Sequence, residues 1–140
     1  MSPKDRQNQI IEEFSNFEDW MDKYNYLIEM GRELAAFDEK HKTKSNLISG
    51  CQSRVWLHAE MDEGKIIFSA DSDAVITKGI ASLLIRVFTK QSPEAILEAD
   101  LSFIDEIGLR EHLSPTRSNG LLSMIKQIKM YALAFKSKED

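Results

Sequence analysis

Chemistry in this 140-residue chain has few places to reside, and the first is Cys51, its only cysteine, in the stretch Asn46 to Leu57, NLISGCQSRVWL. One thiol cannot close an internal disulfide, so Cys51 is a small packed hydrophobe, a reactive thiol, or half of an intermolecular bond. Gly50 before it permits backbone angles closed to other residues, and Asn46 to Ser49 reads as loop, which places Cys51 at a loop tip entering a strand. An unperturbed thiol has a pKa of about 8.5 and is only a few per cent thiolate at neutral pH, so a working nucleophile needs a base or a positive field. No sequence neighbour supplies one strongly; Arg54 is three residues on, and alternation puts it on the other side. The residues therefore point to a thiol that becomes competent when a partner supplies the field or the base.

Other chemistries find less support. His41, His58 and His112 are scattered without ligand spacing, and one cysteine makes no thiolate cage, so no metal site is expected. Neither a phosphate loop, nor a dinucleotide fingerprint, nor a nucleophile-elbow serine occurs. His41 sits among lysines and reads as solvated surface, and His58 as an exposed or satisfied imidazole. A cysteine-protease reading would need His112 as base, which nothing in the sequence places near Cys51.

Charge and hydropathy bound the remaining classes. With 18 basic against 23 acidic residues and a formal charge of −5, a phosphate backbone is a disfavoured partner. The start, MSPKDRQNQ, lacks the apolar stretch of a signal peptide and no apolar run is long enough to span a membrane, so a cytoplasmic location without membrane attachment is expected. The length suits a single domain over residues 1–140, and such a chain buries roughly 70% of the surface its unfolded form exposes.

The elements that would position Cys51 follow from periodicity. Ser2-Pro3-Lys4-Asp5 supplies a cap, a first-turn proline and an acid for a helix to about Ser15. Asn16 and Asp19 restart the signal, and Phe17, Trp20, Met21, Tyr24, Leu27 and Ile28 recur at helical spacing until Gly31 supplies a stop; this aromatic face reads as core. Residues 32–46 read as an exposed connection with a short helical turn. From Gln52 the pattern alternates, then Asp62-Glu63-Gly64 turns the chain into a returning strand, Lys65 to Ala70, of an antiparallel hairpin; Trp56 is expected in the core.

After Asp71-Ser72-Asp73 the run AVITKGIASLLIRVF is apolar nearly all round, the mark of a helix buried between layers, and Gly79 within it suggests another backbone passing close by. Asp73 is a candidate N-cap of that helix. Ser92-Pro93 and Ser102 with Asp105 open two short helices, the second stopped by Gly108. Ser114-Pro115 opens a last helix to about Phe135, with Leu121, Leu122, Met124, Ile125, Ile128, Tyr131, Ala132 and Phe135 inward. Strands and helices segregated along the chain argue for an α+β fold, a small antiparallel sheet with helices on one face.

Three segments together, SGCQSRVWL from Ser49, ADSDAVITKGI from Ala70 and EHLSPTRSNGL from Glu111, resemble the SufE family of cysteine-desulfuration proteins. The resemblance runs from the aromatic helix around Trp20 and Tyr24 to the last helix, in the same order. It implies an α+β fold shared with IscU-type scaffolds, and a sulfur acceptor that is not itself an enzyme. The acceptor takes persulfide sulfur from a pyridoxal-phosphate-dependent desulfurase of the SufS type, stimulates that enzyme, and passes sulfur to the SufB-containing iron–sulfur scaffold complex. By the same resemblance Cys51 matches the acceptor cysteine and Ser49, Gly50, Gln52 and Ser53 its loop, while Asp73 and Arg117 match charged positions framing the loop or the partner contact. His112 matches a motif position without an assigned role. The chain needs no cofactor of its own, and one cysteine is too few to hold a cluster. Arg117 falls in a first helical turn, where the dipole disfavours a cation, which argues for a specific acceptor or partner. Two alternatives stay open: a stand-alone one-cysteine thiol oxidoreductase, and an interaction module with an inert Cys51.

Overall fold

The computed structural model describes residues 1–49 and 53–139; residues 50–52, Cys51 among them, and residue 140 lie outside the described residues. Helix α1, Pro3–Ser15, begins at a reciprocal capping box: the Ser2 hydroxyl accepts the Asp5 amide and the Asp5 carboxylate accepts the Ser2 amide, both at 3.1 Å. Helix α2, Trp20–Arg32, starts at Asp19, whose carboxylate accepts the Met21 amide, so Phe17 precedes the helix rather than belonging to it. Two short 3-10 turns, Glu39–His41 and Lys44–Asn46, punctuate the connection that follows.

Strands β1, Val55–Asp62, and β2, Lys65–Ser72, pair antiparallel from Val55 opposite Ser72 to Asp62 opposite Lys65. The two-residue turn between them has positive φ at both Glu63 (51°) and Gly64 (82°), the geometry that matches strand twist in tight hairpins. Val55 and Leu57 of β1 and Ile66, Phe68 and Ala70 of β2 are buried on one face. Alternation then puts Trp56 on the other face: it is half-buried, with the Lys42 ammonium 5.1 Å from its ring centre, and is not core as expected. On that outer face His41 is also not simply solvated, since its ring stacks on His58 at 3.6 Å.

Helix α3, Val75–Phe88, lies under the sheet and is buried on nearly every side, as its apolar sequence requires. Helix α2 crosses it at a close approach. A Cβ on Gly31 would sit 2.8 Å from the Gly79 nitrogen, and one on Gly79 would collide with the Leu27 carbonyl. Gly31 is therefore not the stop that spacing suggests; α2 continues to Arg32, and the glycine serves the helix crossing. Short helices α4, Pro93–Glu98, α5, Phe103–Glu106, and α6, Leu109–His112, lead to α7, Pro115–Glu139. Gly108, at φ 77°, makes the left-handed turn from α5 into α6. Helix α7 buries Leu121, Met124, Ile125, Ile128 and Ala132, but Leu122 is 49% exposed, because one residue on from Leu121 is a rotation of about 100° away from that stripe. The result is α+β: a two-stranded antiparallel sheet with helices packed on its inner face.

Candidate functional site

The chain on either side of residues 50–52 is tied to rigid elements. Before them, the Ile48 amide donates to the Val55 carbonyl at 2.9 Å and Leu47 bridges Trp56, so the segment preceding the cysteine joins the ladder instead of forming open loop. Ser49, the next residue, is exposed. After them, the Arg54 amide donates to the Asp73 carboxylate at 3.0 Å, and the Asp73 amide returns a bond to the Arg54 carbonyl at 3.2 Å. The Ser53 hydroxyl donates to the Thr77 hydroxyl at 3.2 Å. Asp73 is thus not the N-cap of α3. That position falls to Ala74, which has no capping side chain, and the carboxylate instead clasps the strand entrance.

Next to this clasp opens a cleft of about 370 Å³, lined by Ser53, Asp73, Thr77, Thr116, Arg117 and Gly120, with Ile76 and Ile80 as an apolar wall. It lies where the first turns of α3 and α7 meet. Helix N-termini carry positive partial charge, and here two of them face one cleft, joined by the Arg117 guanidinium. Among the described residues Arg117 makes no ion pair; its guanidinium donates to the Tyr24 hydroxyl at 2.8 Å, and its amide donates to the Ser114 hydroxyl at 3.3 Å. Asp73 adds a carboxylate to the same lining, so the cleft carries charge of both signs.

The edge of the site is also ordered by charge. The Asp71 carboxylate receives Lys42 at 3.2 Å and Lys78 at 3.4 Å. Partial burial works to raise its pKa, but the Ser72 amide and the two ammonium groups outweigh that and hold it below the ordinary aspartate value. Beyond Arg117, the His112 ring stacks on Trp20 at 4.3 Å and 15°, with Nδ1 2.8 Å from the Gly108 carbonyl. Nδ1 therefore carries the proton in the neutral ring.

The fold brings Asp73 and Arg117 to one cleft although 44 positions separate them in the chain. Ser49 is not among the described residues lining it, and Gly50, Cys51 and Gln52 lie outside the described residues. Sequence reasoning missed Thr77, Thr116 and the outer edges of Trp20 and Tyr24. The last two carried a signal, their i, i+4 spacing on α2, which reads equally well as core. Among the described residues no group of three His, Cys, Asp or Glu could hold a metal ion, and no helix is long and apolar enough to cross a membrane.

Comparison with known proteins decides the family. Residues 8–132 match the family model described as "SufE: Fe-S metabolism associated domain". The chain belongs to the SufE family. Among solved structures, the SufE chain is similar to a hypothetical protein from Thermus thermophilus determined in solution, with a TM-score of 0.77 and 23% identity over 96% of each chain. That likeness concerns the fold, and extends it over nearly the full length. Membership associates the SufE chain with iron–sulfur metabolism. The Asp73–Arg117 cleft lies next to the anchors on either side of residues 50–52.

Proposed function

We propose that this protein is a sulfur carrier and desulfurase activator of iron–sulfur cluster assembly, with Cys51 as its transient persulfide site. The observation that carries the reading is the anchoring of the chain around the only cysteine within a family of iron–sulfur metabolism: Ile48 to Val55 on one side, and Ser53 and Arg54 to Thr77 and Asp73 on the other. A relay thiol must be offered to a donor and then to an acceptor, and a short segment held at both ends suits that task.

The chemistry balances with thiols alone. The Cys51 thiolate attacks the terminal sulfur of the donor's persulfide; a new S–S bond forms at Cys51, the donor's S–S bond breaks, and the donor cysteine leaves as thiolate. The same exchange with the scaffold's thiol then discharges Cys51. Pyridoxal chemistry belongs to the SufS-type partner and the cluster to the SufB-containing complex. Ser53, two positions beyond Cys51, lines a cleft that also holds Arg117, a cation of the kind that favours a thiolate and that no sequence neighbour of Cys51 supplies strongly. Asp73 and Arg117 frame the contact with the desulfurase, and Ser49, Gly50 and Gln52 shape the segment presented to it. The protein acts with its partner enzyme in the cytoplasm, not alone.

The test is stimulation of a cognate cysteine desulfurase. Cys51→Ser should abolish it while leaving the fold intact by circular dichroism, and a Cys51→Ser chain that stimulated as well as the parent would overturn the reading.

A further inference from the structure

Helix α2 presents two aromatic side chains one turn apart, and each engages a different residue of the α6–α7 corner. Trp20 stacks on His112, and Tyr24 accepts a hydrogen bond from Arg117 at 2.8 Å. The two rings also meet each other edge to face, with centroids 6.5 Å apart, so the contacts form one unit. His112 is held from its other side by the Gly108 carbonyl, in the left-handed turn that enters α6.

Arg117 needs such a partner. In the first turn of α7 its charge opposes the helix dipole, and among the described residues no carboxylate compensates it. A long, exposed arginine would sample many rotamers, and ordering it after a partner arrives costs binding energy. The Tyr24 hydroxyl removes part of that cost in advance by using one guanidinium nitrogen, leaving the others to meet an anionic group.

We propose that Tyr24 is a positioning residue: its hydroxyl holds Arg117 at the mouth of the cleft, on a corner that the Trp20–His112 stack fixes to α2. The functional consequence rests on the carrier reading above, in which Arg117 meets the desulfurase.

The experiment uses the full chain as Tyr24→Phe, Arg117→Ala and the double variant. Tyr24→Phe keeps the ring and its packing. It should raise the concentration giving half-maximal desulfurase stimulation about three- to tenfold, the loss expected for one hydrogen bond, with the maximum unchanged. The double variant should be no weaker than Arg117→Ala alone. In ¹⁵N NMR of the free chain, rotation of the Arg117 guanidinium should be faster in Tyr24→Phe. Additive losses in the double variant, or an unchanged half-maximal concentration in Tyr24→Phe, would overturn the proposal. Should the parent chain stimulate no desulfurase, the carrier reading fails by itself and the NMR arm still decides: faster rotation in Tyr24→Phe upholds the positioning role, and unchanged rotation rejects it.

Discussion

Asp73 and Arg54 exchange two hydrogen bonds, amide to carboxylate at 3.0 Å and amide to carbonyl at 3.2 Å, and so fasten the entrance of β1 to the start of α3. Both residues border the proposed site: Arg54 follows Cys51 by three positions, and Asp73 lines the cleft. The clasp makes the strand entrance and the helix start a single unit, so a change at Asp73 is felt at Arg54. Asparagine retains the accepting oxygen and alanine does not. Asp73→Ala should therefore speed hydrogen exchange of the Arg54 amide about fivefold, for a bond worth about 1 kcal/mol, while Asp73→Asn should stay within about twofold of the parent. Equal protection in all three chains would show that the carboxylate does not hold the strand.

The α2–α3 crossing is a close backbone approach in the scaffold beneath the site. A Cβ at Gly79 would enter the Leu27 carbonyl, and backbone cannot step aside as a side-chain end can. Gly79→Ala should destabilise the protein by about 3 kcal/mol, the upper part of the overpacking range, despite the better helix propensity of alanine. Thermal unfolding of the single variant measures this; an unchanged or raised midpoint would place the helices farther apart than described.

A second anchor responds to pH. Glu13 of α1 binds the Arg86 guanidinium of α3 through both carboxylate oxygens, one of them at 2.7 Å, and also accepts the Tyr26 hydroxyl. The Arg86 bonds, aided by Tyr26, hold the Glu13 carboxyl below its ordinary value against partial burial. Because the folded value is the lower one, this stabilisation is fully present above the ordinary glutamate range and is lost as pH falls through the folded value. Glu13→Gln should cost about 1 kcal/mol at pH 7, a figure discounted for the solvent that reaches this partly exposed pair. The difference between parent and variant should shrink in denaturant titrations as pH falls below the ordinary glutamate range, and vanish once it has passed the lower folded value. A gap that persisted there would assign the effect to packing instead of charge.

Much of this architecture is legible in the chain because local signals and burial agree. The Ser2–Asp5 capping box, the alternation in β1 and the all-round apolar α3 each admit one reading, and the helices follow. Where two causes give the same pattern, sequence decides wrongly. Gly31 at the end of an amphipathic run looks like a stop, but a close helix crossing also demands glycine. Asp73 before an apolar helix looks like a cap, yet its acceptor is used on Arg54, 19 positions earlier, and no local rule reports a bond of that span. Leu122 fails for a simpler reason: Leu121 lies at the middle of the buried α7 stripe, so its neighbour is turned about 100° out of it. The site divides the same way. Cys51, Asp73 and Arg117 stand out by type and motif, whereas Thr77 and Tyr24 become visible only when α2, α3 and α7 are brought together.

In the proposed function Cys51 receives sulfur from a partner enzyme. It is tested most directly by mass spectrometry of the intact protein and its Cys51 peptide after incubation with a cognate cysteine desulfurase and L-cysteine. One added sulfur atom is expected on Cys51, removed by a thiol reductant and absent without the desulfurase or in Cys51→Ser. An unmodified Cys51 after desulfurase turnover, in a chain that binds the enzyme, would contradict it.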